Sequence, residues 1–308
     1  MEIDSGVEPE PSGPQRRDFS VSWTGMVSRT FALWKRRLPG YLTIMGITSI
    51  AVYGLYAIVL YLLAGPGGIS ILPYIGTSPF SLITSLMNLQ GLSMNQVIIL
   101  VPMTIISMII YAVAGGASIK LAFDDYGDPG TGDVDTSLSY SFSRVWSLIG
   151  AQIIVGLIVL ILQIPTLLMV VFMFTGNIEL IAVTGVLSLV GLVLSAYIGV
   201  RLTPVSAVVI TENDTGAFGA VKRAWALTSN NFWHIFGGQL LLGLVVGIIT
   251  IIVEFIIAAL TFSVAGVIGI VLSTIIVGVL FSSVDYIFQT VLYRDLEARA
   301  IQDEEDWW

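Results

Sequence analysis

Long apolar stretches alternate along this chain with shorter segments in which apolar residues recur every three or four positions, the period of a helix with one buried face. Six stretches have the length and near-absence of charge that a helix needs to cross a bilayer core, roughly 20 residues. They cover 41–64, 97–123, 148–174, 180–200, 235–260 and 266–292. The third and fourth are divided only by Thr175-Gly176-Asn177, a turn signal that predicts a tight helical hairpin. Pro165 lies inside the third stretch and predicts a kink there, with neighbouring helices satisfying the freed carbonyl.

The amphipathic segments sit just before the odd-numbered stretches. Val27, Phe31, Trp34 and Leu38 lead into the first, Leu138, Phe142, Val145 and Ile149 into the third, and Phe218, Val221 and Trp225 into the fifth. Each carries the pattern Arg-x-aromatic-small-Leu: Arg29-Thr30-Phe31-Ala32-Leu33, Arg144-Val145-Trp146-Ser147-Leu148 and Arg223-Ala224-Trp225-Ala226-Leu227. The pattern predicts an all-α polytopic membrane protein with six transmembrane helices as three hairpins. A cytoplasmic interfacial amphipathic helix precedes each hairpin. The three units run over about 22–123, 136–210 and 216–297, inside a membrane domain at 19–297.

Charge sets the orientation. All 13 Lys and Arg residues fall in the amino-terminal segment, in or flanking the second and fourth connections, or after the last stretch. The other connections, 65–96, 175–179 and 261–265, have none, so both termini are expected in the cytoplasm of a multi-pass cell-membrane protein. Acidic residues crowd the same side, giving a formal net charge of −8. That balance points to a high-salt or archaeal source and excludes nucleic acid as a partner, because no basic excess is left to neutralise phosphates. The segment 1–18 is acidic and Pro-containing and reads as a disordered tail. A second acidic tail covers 298–308, where Trp307 and Trp308 suit the headgroup level.

Composition narrows the chemistry. The chain is 56% apolar and 11% charged, against about 25% charged in soluble domains, with no cysteine and one histidine, His234. Thiolate and multi-histidine metal sites are therefore excluded. No phosphate loop, HExxH or Ser-His-Asp set can be assembled, so no catalytic residue, metal or cofactor is assigned. Connection 65–96 is uncharged. Ser78-Pro79 there is a helix start, so 80–92 reads as an outer interfacial lid or a re-entrant segment.

Two residue sets remain. Arg29, Lys35, Arg36, Arg37, Arg144, Lys222 and Arg223, beside Trp34, Trp225 and Trp233, suit either anionic lipid headgroups or plain anchoring at the interface. Within the stretches, Arg201, Asp285 and Glu254 are costly and mark either a pair or a polar path. Arg201 and Asp285 lie at comparable depth, so an ion pair between them, or a proton or cation site at Asp285, are the two readings. Glu179 opens the fourth stretch, where a carboxylate suits a helix amino terminus. His234, between Trp233 and Phe236, reads as an interfacial anchor. Gly243-x-x-x-Gly247 permits close helix approach, in a homo-oligomer or larger membrane complex.

The run from Arg201 through Pro204, Asp214-Thr215-Gly216, Ala220, Arg223-Ala224-Trp225-Ala226-Leu227, Asn231-Phe232-Trp233 and Phe236-Gly237 resembles the membrane domain of glycerophosphoryl diester phosphodiesterases. Val291-Leu292-Tyr293-Arg294-Asp295-Leu296 resembles that family's closing motif. The resemblance implies a stand-alone prokaryotic membrane domain without the catalytic barrel, whose paired histidines and metal-binding carboxylates have no counterparts here. The function expected is a non-enzymatic membrane module that binds or organises lipid, or an accessory subunit. The alternative is a small permease or channel with its path at Asp285 and Arg201.

Overall fold

The computed structural model describes residues 19–68, 94–261 and 266–305, and all the regular structure among them is helical. The expectations for 1–18, for 80–92, and for Trp307 and Trp308 lie outside the described residues. The elements are α1 (Trp23–Arg36), α2 (Leu38–Tyr41), a π-helical turn (Leu42–Gly46), α3 (Ile47–Gly68), α4 (Met94–Gly127) and α5 (Val134–Ser143). There follow α6 (Val145–Leu162), α7 (Ile164–Thr175), α8 (Ile178–Leu202), α9 (Val205–Thr211), α10 (Ala217–Leu227), α11 (Phe232–Thr261) and α12 (Gly266–Glu305). Among the described residues, six apolar segments are long enough to cross a membrane: Leu38–Leu63, Pro102–Gly127, Val145–Leu162, Ile178–Thr211, Phe232–Ile257 and Val271–Ile301. The protein is a multi-pass, all-helical membrane protein.

Local chemistry starts and stops these helices. Ser22 caps α1 by accepting from the Gly25 amide, Asp133 caps α5 from Thr136, and Asn177 caps α8 from Leu180. Asp133 also accepts from the Thr136 hydroxyl, and these bonds hold its carboxyl below the ordinary range. Between α7 and α8, Gly176 takes φ +70°, the left-handed turn that the expected hairpin requires. Between α10 and α11, Asn230 takes φ +65°. Asn is among the few side chains that tolerate that region.

The core gathers on α12. Val284, Ile287, Phe288, Val291, Leu292 and Leu296 are buried, and α1, α3, α4, α9, α10 and α11 all pack on this helix. α1 turns Met26, Thr30 and Leu33 inward and stacks Trp34 on Phe281, with the indole N–H donating to the Leu280 carbonyl at 3.1 Å. Val21 at its start donates to Asp295 of α12, so both described ends meet at one end of the bundle, called below the termini end.

Three sequence expectations change in detail. The third stretch is broken rather than kinked. α6 stops at Leu162, Gln163 bridges, and Pro165 opens α7, where a missing N–H costs nothing. Buried Gln163 donates to Ser195 Oγ of α8 at 3.0 Å and accepts from Thr166 at 2.9 Å, so the break is internally satisfied. The α8 backbone approaches the Leu162 carbonyl at Gly191 so closely that a Cβ there would overlap it. Secondly, α9 is a buried helix in the connection that follows the fourth stretch, where the sequence pattern predicts no element. Thirdly, the Arg-x-aromatic pattern lies inside α1 and α10 but straddles the α5–α6 junction, with Arg144 between the two helices. The second unit is therefore out of register with the other two.

Candidate functional site

The termini end is held by charge. Asp125, at the end of α4, has no exposed side-chain surface; it accepts from Arg37 Nε at 3.0 Å, Arg36 Nη1 at 3.4 Å and the Gly130 amide at 2.8 Å. Asp295 on α12 is equally buried. It accepts from the Val21 amide at 2.7 Å and Arg299 Nε at 3.0 Å, and lies 2.8 Å from His234 Nε2 at the start of α11. Glu212, after α9, pairs with Arg223 Nε at 2.9 Å and meets the Tyr293 hydroxyl at 3.3 Å. That carboxylate pushes the Arg223 guanidinium further up. These bonds tie the short helices α1 and α10 to α4, α11 and α12.

This network redistributes the basic residues expected at lipid headgroups. Arg29 donates to the Tyr126 hydroxyl at 2.6 Å, Arg36 and Arg37 hold Asp125, and Arg144 donates to the Asn213 carbonyl. Arg223 holds Glu212. Lys35 and Lys222 are exposed, as are Trp225 and Trp233. The side chains of Arg29, Arg36, Arg37, Arg144 and Arg223 are thus engaged within the protein. His234 is likewise a partner of Asp295 and not only an interfacial anchor.

The expected ion pair between Arg201 and Asp285 does not form among the described residues. Arg201 is 8% exposed, at the end of α8, and turns to the carboxyl end of α10. Nε donates to Thr228 Oγ1 at 3.0 Å, and Nη2 to the Trp225 carbonyl at 2.6 Å and Ser229 Oγ at 3.0 Å. Nη1 donates to the Tyr197 hydroxyl at 3.0 Å, and the guanidinium lies 3.9 Å from the Trp225 ring centroid. A cation suits a helix carboxyl end, whose last carbonyls lack partners. Arg201 is a tether between α8 and α10.

Asp285 faces somewhere else. It is exposed, while Val284, Tyr286, Ile287 and Phe288 beside it are buried. It opens on a crevice of about 220 Å³ between α11 and α12, lined by Gln239, Leu242, Gly243, Val246, Phe281, Val284 and Asp285. One carboxylate oxygen accepts from Gln289 Nε2, one turn on, at 3.1 Å. The Gln289 Oε1 is buried and has no hydrogen-bond partner among the described residues. Gln239 donates to Thr203 Oγ1. A Cβ on Gly243 would meet nothing within 4 Å, so this glycine opens the crevice. Glu254 is exposed on α11, about 12 Å beyond Val246 at 1.5 Å per residue, and does not line it.

Arg201, Asp285 and Glu254 are therefore not brought together. The residues that accompany Asp285 are Gln239, Gln289 and Gly243. The sequence carried a signal for Gln289, at i+4 from Asp285, and for Gly243, in the Gly-x-x-x-Gly spacing. Among the described residues no group of three or more His, Asp and Glu is placed to hold a metal ion. No family model matches this chain, and no curated protein or solved structure is similar to it.

Proposed function

We propose that this protein is a non-enzymatic membrane module that seats a lipid in the crevice between α11 and α12, with the termini end in the cytoplasm. The observation that carries the reading is a carboxylate inside a span, exposed to an otherwise largely apolar crevice. Ionisable groups within a membrane are retained for a partner or a function, and here the expected partner, Arg201, is committed elsewhere. The position fits an amphiphile. Gln239 lies seven residues into α11, about 10 Å from its start at 1.5 Å per residue. The polar end of the crevice is thus near the termini end, and Leu242, Gly243 and Val246 continue from it into the span. The outward face of α11, with Leu240, Leu244, Ile248 and Ile251, is exposed and so borders acyl chains.

Size favours a lipid over an enclosed solute. Sites that engulf a small molecule measure about 300–1,000 Å³, and this crevice is smaller. It takes part of a molecule whose remainder stays in the bilayer. The resemblance of 201–297 to a membrane domain that accompanies phosphodiesterases supports a module without chemistry of its own. Confinement of basic residues to one side supports the orientation.

The test is lipid retention. Protein purified from membranes and delipidated by detergent exchange should keep a substoichiometric set of tightly held lipids, read by native mass spectrometry. Gly243→Leu fills the crevice and should remove them. The second reading, a small permease using Asp285, rests on the same carboxylate. Solute uptake into proteoliposomes that is lost in Asp285→Asn, with lipid retention unaltered by Gly243→Leu, would replace the lipid reading with that one.

A further inference from the structure

Resting on the lipid-module reading, we infer that the crevice selects a headgroup that donates hydrogen bonds and carries positive charge: a membrane lipid with a primary ammonium head. The charged group at the polar end of the crevice is an acceptor, Asp285. It accepts one bond from Gln289 and keeps its remaining lone pairs, since an ionised carboxylate offers about four acceptor sites. An anionic acceptor inside a span whose free lone pairs lack a donor is unfavourable, and more so where no water is at hand.

What is missing is a donor. Arg201 is the described cation expected to supply it, and its three guanidinium nitrogens serve Thr228, Tyr197, Trp225 and Ser229. A primary ammonium offers three N–H donors and no acceptor, so it donates to the free lone pairs of Asp285 and neutralises the carboxylate. A quaternary ammonium brings the charge without N–H donors. A headgroup with only phosphate and hydroxyls brings a second negative charge toward Asp285. Leu242, Gly243, Val246, Phe281 and Val284 then receive the methylenes that follow the head.

The experiment places the full chain in nanodiscs with equal parts phosphatidylethanolamine, phosphatidylcholine and phosphatidylglycerol of one acyl composition. Lipids retained through detergent extraction are counted by native mass spectrometry. The ethanolamine lipid is expected to be enriched over the choline lipid about tenfold, the worth of one charge-assisted hydrogen bond. Asp285→Asn should abolish the enrichment while the total retained lipid stays the same. Stepwise N-methylation of the ethanolamine head removes N–H donors one at a time, so it should lower the enrichment stepwise and serves as the second arm if Asp285→Asn fails to fold.

Equal retention of ethanolamine and choline lipids, with both lost in Gly243→Leu, would overturn the headgroup inference and leave the lipid module standing. Retention untouched by Gly243→Leu would overturn both. Free ethanolamine that displaces the enrichment at millimolar concentration would show a soluble-amine site and overturn the lipid assignment.

Discussion

Asp295 and Asp285 lie ten residues apart on one helix and have opposite surroundings. Asp295 has no exposed side-chain surface and is met by a backbone amide, an arginine and a histidine from three separate segments. Asp285 faces a crevice and has one amide neighbour from its own helix. A buried carboxylate with both oxygens engaged is part of the scaffold, because removing it strands the groups around it. An exposed carboxylate inside a span, with most of its acceptor capacity unused, contributes little to the scaffold and is available to a ligand. The same contrast separates two glycines: Gly191 lies against the Leu162 carbonyl, while Gly243 faces open space.

Replacement by alanine at Asp295 should break that contrast most visibly. It leaves Arg299 and His234 without their carboxylate and should cost about 3–5 kcal/mol, read as the loss of the cooperative unfolding transition in detergent by tryptophan fluorescence. Asp125→Ala should fall in the same range, since it strands Arg36 and Arg37. Next comes Gly191→Ala, which forces α8 away from the break in the third span and should cost about 1–3 kcal/mol. Gly243→Leu and Asp285→Asn should shift the same transition by no more than about 0.5 kcal/mol, the range of substitutions away from packed features. A large loss of stability in either would place the crevice in the scaffold and erase the difference between the two carboxylates.

The smallest effect concerns the α5 cap. Asp133 titrates lower folded than unfolded because the Thr136 amide and hydroxyl donate to its charged form. Its stabilising contribution is therefore fully present above the ordinary carboxyl value of 3.8. It is lost as pH falls below that value and through the lower folded one. Asp133→Asn should flatten that acid limb of the melting curve and leave neutral pH nearly unchanged.

Much of the architecture was legible because a bilayer imposes length and apolarity on each crossing. The six stretches and the Gly176 hairpin follow from such local signals. What was not legible is the azimuth of each helix. Depth along the bilayer placed Arg201 and Asp285 side by side, but α8 and α12 turn them to different neighbours, and periodicity cannot specify the rotation of a helix that is apolar on every side. From the sequence, the acidic residues show only a crowding on one side. Two of them, Asp125 and Asp295, are wholly buried, and their partners lie 88 and 274 residues away, beyond the reach of any short pattern. α9 was passed over because a seven-residue helix, buried nearly all round, has no polar face to set its period.

The bond from Val21 to Asp295 carries a consequence for how the chain matures. The first described helix, α1, has its seat on the last described one, α12. α12 is also the helix on which α3, α4, α9, α10 and α11 converge. Earlier crossings can insert one by one, yet their packing waits for α12. A nascent chain halted before residue 266 should hold its crossings in the bilayer while remaining open to protease at α1, and synthesis of α12 should protect it.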